Sequence, residues 1–361
     1  MPIGIYVHIP FCKSKCKYCD FNSSDKYFDL EEDYVNALIS EIRGCDCKDD
    51  VDTVFIGGGT PTALKNENLL KIIDCISNHF SLKNAEFTVE CNPATADYDD
   101  FVSLKNAGVN RLSIGLQSAN DDELDFLGRI HTYKMFEKTY IDARKAGIDN
   151  INVDLIFSLH DQNLDKWKNT LQKAVDLKPE HISCYSLIVE ENTPFYSMKL
   201  NCPDEETDRE MYRYAISFLA ENGYRQYEIS NFCLDGYECK HNIKYWKRGN
   251  YLGFGCGACG MYNDVRTENT REIKSYIKNN IVKKVKLSKE EAMSEHIFLG
   301  LRLTDGFDID EFNRKYDVDF LKKYSAAVNK FKNMGFMETD KSCRLTKRGI
   351  DVSNSIMCEF L

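Results

Sequence analysis

The chain contains no apolar run that approaches the ~18 residues needed to cross a membrane, so the sequence predicts no transmembrane segment. Its first residues lack the charged region, apolar stretch and cleavage site of a secretory signal. It also lacks a dense run of lysine and arginine interleaved with aromatic residues. With 47 basic and 57 acidic side chains and a net charge of −10, the chain is not expected to have a nucleic-acid partner.

The cysteines lack the regular spacing of a disulfide scaffold, and a chain of 361 residues does not need such links to fold. We therefore expect its fifteen cysteines to be reduced thiols and the protein to be cytoplasmic. Hydrophobic residues make up 43% of the chain and charged residues 29%, as in globular proteins. The length suffices for one barrel domain of ~200–250 residues and a smaller second domain.

Three cysteines stand close together in a polar, lysine-rich stretch: Cys12, Cys16 and Cys19, with the spacing C-x3-C-x2-C. Three thiolates can hold three irons of a 4Fe–4S cluster and leave the fourth iron open to a small molecule. A zinc site would need four ligands in paired spacings, which this stretch does not supply. The polar setting also argues against three core cysteines that are neighbours by chance.

Strand and helix patterns alternate along residues 1–233. The predicted strands cover residues 4–10, 53–56, 87–90, 111–117, 151–157 and 181–189, and a helical pattern follows each, the last at 205–221. Such alternation predicts parallel strands joined by right-handed helical crossovers. Six repeats rather than eight predict an α/β fold with an incomplete (β/α)6 barrel. A later part of the chain would cover the open side of this barrel.

The alternation stops after residue 223. A strand pattern at 224–232 leads into a linking segment, residues 234–287, which is rich in glycine, cysteine and aromatic residues and has little periodicity. Residues 288–361 are mostly helical in pattern, with helices near 289–301, 309–315 and 320–334, a short hairpin and a last helix. We expect a winged-helix-like C-terminal domain, which the acidic charge of the chain does not favour as a DNA-binding domain.

Several polar residues fall at the ends or in the interior of the predicted strands. Glu90, Gln117 and Asp154 lie on strands, and Arg129 lies in a loop after one. A buried charge is costly unless it is paired or binds something, so these residues are candidate ligand contacts, with structural ion pairs as the alternative. The glycine-rich stretch at 57–61 would let backbone groups approach a ligand, although it could also be an ordinary turn.

The order of the motifs resembles that of a known family. The sequences HIPFCKSKCKYCDF, FIGGGTPT, VECNP, SIGLQS, LGRIH, NVDLIF, HNIKYW and LGLRLTDG occur in this order along nearly the whole chain. This pattern resembles the radical S-adenosylmethionine (SAM) superfamily, and within it the oxygen-independent coproporphyrinogen III oxidase family with its HemW-type haem chaperones. The resemblance implies that SAM binds the open iron and that a cluster electron splits SAM into methionine and a 5′-deoxyadenosyl radical.

The resemblance also implies roles for individual residues. Cys12, Cys16 and Cys19 would ligate the cluster, and the SAM site would comprise Tyr6, Tyr18, Gly58, Gly59, Thr60, Glu90, Gln117, Arg129, Asp154 and Ile188. Within that set Gly58, Gly59 and Thr60 would meet the methionyl end, and Ile188 would lie against the adenine.

Two departures separate the branches of the family. The oxidases resemble this chain but carry a fourth cysteine two residues after the third, where this chain has Phe21, and they have a long N-terminal extension, whereas here a strand begins at residue 4. These differences favour a haem chaperone without coproporphyrinogen III oxidase activity. The alternatives are that oxidase, another tetrapyrrole-modifying radical SAM enzyme and, third, a tRNA-modifying radical enzyme.

A further departure, from the HemW-type pattern itself, lies in the linking segment, where Cys259 occupies the position at which HemW-type sequences have histidine. Cys256 and Cys259 form a C-x2-C pair, which could bind metal or act in redox chemistry, or could consist of small residues packed in a tight turn.

The HNxxYW sequence is the haem-associated motif of the chaperones, and it comprises His241, Asn242, Tyr245 and Trp246. It offers an imidazole ligand beside a flat apolar surface for a porphyrin, although a lone histidine can equally be a hydrogen-bonded structural residue. The partners implied are haem as cargo, apo-haemoprotein acceptors, and an electron donor such as a flavodoxin or a ferredoxin.

Overall fold

Six parallel strands, hydrogen-bonded to one another in sequence order, form the core of the computed structural model, which describes residues 2–361. The strands are β1 (Ile3–Ile9), β2 (Val51–Gly58), β3 (Leu82–Cys91), β4 (Arg111–Gln117), β5 (Asn150–Phe157) and β6 (His181–Ser186). The helices between and after them are α1 (Glu31–Arg43), α2 (Asn66–His79), α3 (Tyr98–Asn106), α4 (Asp121–Leu127), α5 (Tyr133–Lys145), α6 (Leu164–Asp176) and α7 (Glu205–Glu221). The predicted incomplete (β/α)6 barrel is confirmed.

The next part of the chain extends this sheet at both edges. Its elements are β7 (Arg225–Gln226), β8 (Asn231–Cys233), α8 (Lys240–Trp246), β9 (Tyr251–Phe254), β10 (Cys259–Tyr262), β11 (Val265–Glu268), α9 (Ile273–Lys278) and β12 (Lys283–Lys286). Strand β8 pairs antiparallel with β6, while β9 pairs parallel with β1 and carries β10, β11 and β12 outwards, which gives a twelve-stranded sheet.

The remaining residues form a mostly helical unit with a small sheet. Its elements are α10 (Lys289–Gly300), β13 (Phe307–Asp308), α11 (Ile309–Tyr316), α12 (Phe320–Lys323), α13 (Ser325–Asn333), β14 (Met337–Thr339), β15 (Ser342–Leu345), α14 (Lys347–Ile350) and α15 (Ser353–Met357). Three-stranded pairing in the order β13-β15-β14 supplies the wing, as expected for a winged-helix-like unit. The helix predicted at 320–334 is broken at Tyr324, whose ψ is +21°.

The two faces of the barrel sheet differ in chemistry. Because side chains alternate along a strand, Ile5, Val7 and Val54 point to the helices and are completely buried in the apolar core. The intervening residues, among them Tyr6 and Thr53, point to the inner face of the barrel, which is therefore polar and able to receive a ligand. Among residues 2–361, no helix is long and apolar enough to cross a membrane.

One strand differs from its predicted length. Strand β6 ends at Ser186 rather than at residue 189, so Ile188 lies in the following loop with 68% of its surface exposed. An exposed apolar side chain at the carboxyl end of the barrel is available for contact with a ligand.

Candidate functional site

The loop that follows β1 carries Cys12, Cys16 and Cys19, and its backbone is held from three sides. The Cys12 amide donates to the carbonyl of Ser24 (3.0 Å), and the Lys17 amide donates to the carbonyl of Leu127 at the end of α4 (3.0 Å). The Lys17 carbonyl accepts from the Phe195 amide (3.1 Å). All three thiols are free of disulfides. The loop is therefore fixed while its sulfur atoms remain available as ligands.

Two side chains from other loops reach these sulfur atoms, Thr60 from the loop after β2 and Arg129 from the loop after α4. Arg129 Nη1 donates to Cys16 Sγ (3.5 Å), and the Thr60 hydroxyl donates to Cys12 Sγ (3.6 Å). Burial raises the pKa of the Cys12 and Cys19 thiols, so metal binding rather than simple ionisation would have to remove their protons. Hydrogen bonds to sulfur stabilise the thiolate and tune the potential of a bound cluster.

Asn92 connects the two donors and was not singled out from the sequence. Its amide nitrogen donates to Thr60 Oγ1 (2.7 Å), and its carbonyl oxygen accepts from Arg129 Nη2 (2.7 Å). The available signal was its position two residues after Glu90, which places both side chains on the inner face at the end of β3. Asn92 thus orients the groups that contact Cys12 and Cys16.

The donor set fits a cluster with three thiolate ligands better than a single ion. Within residues 2–361, no group of three or more His, Cys, Asp or Glu side chains converges closely enough to hold one metal ion. A cubane presents a separate iron to each cysteine, so its thiolates need not converge on one point. A side chain at Gly59 would lie 2.6 Å from the Phe11 carbonyl oxygen and 3.1 Å from Cys12 Sγ, so glycine there lets the two loops meet.

The polar groups expected to contact SAM lie on the inner face beside this loop. Glu90 Oε2 accepts from the Gly58 amide (3.0 Å), and any side chain at Gly57 would come within 2.7 Å of the Glu90 carboxyl group. Burial, together with the negative charge of Asp154, raises the pKa of Glu90 to about 7. Asp154 itself accepts from Ser113 Oγ (3.0 Å) and from the Asn152 amide (2.8 Å).

Gln117 and Arg129 meet at the end of β4. Gln117 has a φ of +69°, a left-handed conformation that is uncommon for a residue other than glycine and is typical of functional sites. Arg129 Nη2 also donates to the Gly115 carbonyl (2.8 Å), where the register of β4 against β5 shifts. A side chain at Gly115 would lie 2.7 Å from Gln117 Nε2, so Gln117 folds back over this glycine.

The two tyrosines of the predicted site occupy different depths. Tyr18 is half-buried beside Arg129, Cys16 and Cys19, and desolvation raises the pKa of its phenol. The Tyr6 hydroxyl lies 2.8 Å from His8 Nδ1, further into the barrel and near Glu90. The structure therefore places Tyr18, Thr60 and Arg129 beside the cysteine loop, and it places Tyr6, Glu90 and Asp154 on the adjoining inner face.

The HNxxYW residues lie at the opposite end of the sheet. His241 is completely buried, its Nδ1 lies 2.9 Å from Thr53 Oγ1, and its Nε2 lies 2.8 Å from the Tyr245 hydroxyl. Its ring stacks on Phe55 at 5.3 Å, and burial lowers the pKa of the imidazole to about 3. Both ring nitrogens are thus engaged, which favours the structural interpretation of His241.

The other members of the motif differ in their surroundings. Asn242 is half-buried, while the indole N–H of Trp246 is buried without a hydrogen-bond partner among residues 2–361. The Arg302 guanidinium lies 4.4 Å from the centre of the Trp246 ring and holds it in place.

The C-x2-C pair lies behind the cysteine loop. Cys256 is buried and its thiol donates to the Arg271 carbonyl (3.1 Å), while the Asn22 amide donates to the Cys256 carbonyl (3.2 Å). Gly257 has a φ of +76°, and a side chain there would meet Asn22 at 2.5 Å. These contacts favour a tight turn that packs against the cysteine loop.

Two family models match the chain. The Radical SAM superfamily model matches residues 6–174, and the HemN C-terminal domain model matches residues 287–352. The barrel, its cysteine loop and these matches define a radical SAM protein, a class whose cofactors are a 4Fe–4S cluster and SAM. The structure is also similar to that of coproporphyrinogen III oxidase (HemN) from Escherichia coli, with a TM-score of 0.88 and 22% identity over 99% of this chain and 90% of that one.

Two relatives narrow the assignment. The chain is 38% identical to heme chaperone HemW of Bacillus subtilis (strain 168), over 99% of this chain and 98% of the relative. It is 34% identical to heme chaperone HemW of Lactococcus lactis subsp. lactis (strain IL1403), over 100% and 97%. The chain therefore belongs to the HemW family of heme chaperones.

Proposed function

We propose that this protein binds haem and delivers it to apo-haemoproteins, and that its barrel holds a 4Fe–4S cluster and SAM. The observation that carries the proposal is the match to heme chaperones over practically the full length of both chains. The likeness to the coproporphyrinogen III oxidase structure supports the fold alone, since the identity is 22%.

In this proposal Cys12, Cys16 and Cys19 ligate the cluster, and the fixed backbone of their loop supports that role. The cluster, when bound, would supply the electron that splits SAM. The chain contributes orientation: Arg129 and Thr60 donate to the sulfur atoms, and Asn92 holds both donors in place. The proposed SAM contacts are Tyr6, Tyr18, Gly58, Gly59, Thr60, Glu90, Gln117, Arg129, Asp154 and Ile188.

A chaperone is favoured over the oxidase because the position of the oxidases' fourth cysteine is Phe21, which is 67% exposed beside the loop. An apolar, exposed side chain supplies no ligand or acid there. Decarboxylation by a radical requires the substrate hydrogen close to the radical carbon, and small misplacements cost orders of magnitude in rate. We propose that coproporphyrinogen III is not converted.

The partners follow from the same chemistry. A cluster that reduces SAM needs an electron donor such as a flavodoxin or a ferredoxin. A net charge of −10 opposes binding to nucleic acid. Fifteen unpaired cysteines support a reducing compartment, and we propose the cytoplasm.

The test is a transfer assay with anaerobically reconstituted protein. The haem-loaded protein is mixed with apomyoglobin, and the absorption of the acceptor is compared with that after addition of haemin alone at the same concentration. We expect about one haem bound per chain and transfer to the acceptor. In parallel, coproporphyrinogen III with SAM and reductant should give no protoporphyrinogen IX. Conversion of the porphyrinogen without haem transfer would reverse the assignment.

A further inference from the structure

Three neighbouring strands carry a row of buried polar side chains across the inner face of the barrel. Ser113 on β4, Asn152 on β5 and His181 on β6 stand side by side in the register of the sheet, and all three are buried. Asp154 lies two residues after Asn152, so its side chain points to the same face. Buried polar groups are costly unless they are hydrogen-bonded, so the bonds among these residues determine how the row is arranged.

The bonds of this row end on the Asp154 carboxylate. Asn152 Nδ2 donates to Asp154 Oδ1 (2.8 Å) and to Ser113 Oγ (2.7 Å). The Ser113 hydroxyl in turn donates to Asp154 Oδ2 (3.0 Å). Each carboxylate oxygen therefore accepts one bond from the row, which fixes the direction of the carboxylate. Because a carboxylate oxygen has two lone pairs, each oxygen keeps one for a ligand.

The same bonds determine which nitrogen of His181 carries the hydrogen. Because a carboxylate only accepts, the amide nitrogen of Asn152 must face Asp154, and the amide oxygen faces His181 Nδ1 at 2.6 Å. Nδ1 must therefore be the donor, and Nε2 of the neutral ring accepts from the Tyr227 hydroxyl at 2.8 Å. Burial, together with the positive charge of Arg111, holds the pKa of His181 well below its ordinary value and keeps the ring neutral.

The chain of bonds begins outside the six parallel strands. Tyr227 lies between β7 and β8, and its buried hydroxyl accepts from the amide of Cys239, the residue before α8 (3.2 Å). The Tyr227 carbonyl accepts from the Thr304 amide of the C-terminal unit (3.0 Å). Two parts of the chain thus hold this tyrosine in place. Every donor from Cys239 to Asn152 points in one direction, towards Asp154.

We propose that His181 and Tyr227 are positioning residues of the SAM site, which act through Asn152 to fix the direction in which Asp154 presents its remaining lone pairs. This inference rests on the proposed binding of SAM at Asp154. With the hydrogen on Nε2 instead, His181 Nδ1 and Asn152 Oδ1 would be two acceptors facing each other. The Asn152 amide would then turn and bring its oxygen against the carboxylate, which would lose a donor. Loss of the chain therefore weakens SAM binding although every contact residue is still present.

The experiment measures SAM binding to the anaerobically reconstituted full-length protein by isothermal titration. His181→Leu has no donor, whereas the amide of His181→Asn can donate from about the position of Nδ1. We expect His181→Leu to raise the SAM dissociation constant roughly five- to tenfold, and His181→Asn to stay within about twofold of the wild type. The matched control is His79→Leu, which changes a half-buried histidine at the end of α2 and should leave the constant unchanged.

Two further measurements separate a positioning role from a general effect on the fold. In an Asp154→Ala background, His181→Leu should have no further effect on SAM affinity, because the carboxylate that the chain orients is gone. Tyr227→Phe removes one oxygen and keeps the ring, so it carries the test should His181→Leu fail to fold. Nitrogen NMR of isotope-labelled histidine should show the Nδ1–H tautomer of His181 in the wild type. Tyr227→Phe should lose this fixed tautomer and bind SAM about two- to fivefold more weakly.

Three outcomes would overturn the inference and leave the proposed function intact. The first is an Nε2–H tautomer of His181 in the wild type, and the second is wild-type SAM affinity in folded His181→Leu or in Tyr227→Phe. The third is an equal loss of affinity from His181→Leu with and without Asp154, which would mean that the histidine supports only the fold. A wild-type protein that binds no SAM would instead overturn the proposed SAM site and this inference with it.

Discussion

The barrel carries a cysteine motif at its carboxyl end and a histidine motif at its amino end. Both contain residue types that bind iron, yet the two motifs differ in which of their groups are hydrogen-bonded. At the carboxyl end the backbone around Cys12, Cys16 and Cys19 is held by hydrogen bonds, and the sulfur atoms are left for a ligand. At the amino end the His241 side chain itself is the bonded group, with partners on both ring nitrogens. A motif can therefore bind iron where its backbone is fixed and its donor atoms are free.

The residues of the HNxxYW motif also differ among themselves. His241 fastens α8 to the sheet through Thr53, whereas Tyr245 and Trp246 line the cavity beside α8. Each end can be tested by removing one side chain and leaving the other end untouched.

The largest effect is expected from Cys16→Ala. Loss of one of three cluster ligands should remove the cluster, and iron and sulfide content should fall from about four per chain to near zero. The matched control is Cys358→Ala, since Cys358 is an exposed cysteine at the C-terminus. Iron analysis and absorption after anaerobic reconstitution provide the measurement, and full iron content in Cys16→Ala would break the assignment of the carboxyl end.

The next effect concerns the amino end, where His241→Ala should destabilise the fold. The variant leaves a cavity in a fully buried site and removes the hydrogen-bond partner of Thr53 and Tyr245, so we expect a loss of about 2–4 kcal/mol in unfolding free energy. Urea denaturation measures it. The control His79→Ala removes a half-buried imidazole whose one hydrogen bond within residues 2–361 is to the Cys45 carbonyl, and it should cost less. Equal stability of wild type and His241→Ala would mean that this histidine is not an anchor.

Arg129→Gln should weaken SAM binding while keeping the cluster. Loss of a charged donor costs about 1.5–3 kcal/mol, which corresponds to a ten- to hundredfold rise in the SAM dissociation constant. Isothermal titration of the reconstituted protein measures this constant. Arg213→Gln removes an exposed surface arginine that pairs with Asp351, and its affinity for SAM should match that of the wild type. An unchanged constant in Arg129→Gln would exclude this arginine from the SAM site.

The smallest effect is a pH dependence of stability from Glu90. Its folded pKa is raised from 4.5 to about 7, so the folded protein keeps a proton that the unfolded chain loses. Stability should therefore fall as pH rises from about 5 to 8, by about 1–3 kcal/mol, in protein without SAM. Glu90→Gln cannot ionise and should lack this decrease. Denaturation of the wild type and of Glu90→Gln is measured at both ends of this pH range. A difference in stability between the two proteins that is the same at both ends would contradict the raised pKa of Glu90.

The sequence predicted the elements whose patterns are long. Strand β4 and helix α7 lie where the alternation and the helical spacing placed them, and the cysteine spacing located the loop at the end of β1. The sequence analysis did not predict strands β9 to β12 within the linking segment. Each of these strands has four residues, which is too short for an alternating hydrophobic pattern to be recognised.

The contacts between distant parts of the chain were beyond sequence reasoning for a different reason. That His241 bonds to Thr53, 188 positions away, depends on where α8 docks, and no local pattern encodes it. Asn92 and Tyr251 have ordinary local patterns, and only the fold shows that one orients Arg129 and the other faces a cavity. Local sequence thus supplies the candidate ligand types, and packing determines which of them are already hydrogen-bonded within the fold.

We propose that cluster and haem bind at separate ends of the barrel, and the most direct test is a haemin titration of folded Cys16→Ala. We expect about one haem per chain, with the absorption spectrum and affinity of the wild type, although the variant contains no cluster. Loss of haem binding in this variant, with its circular dichroism unchanged, would show that the two ends do not act independently.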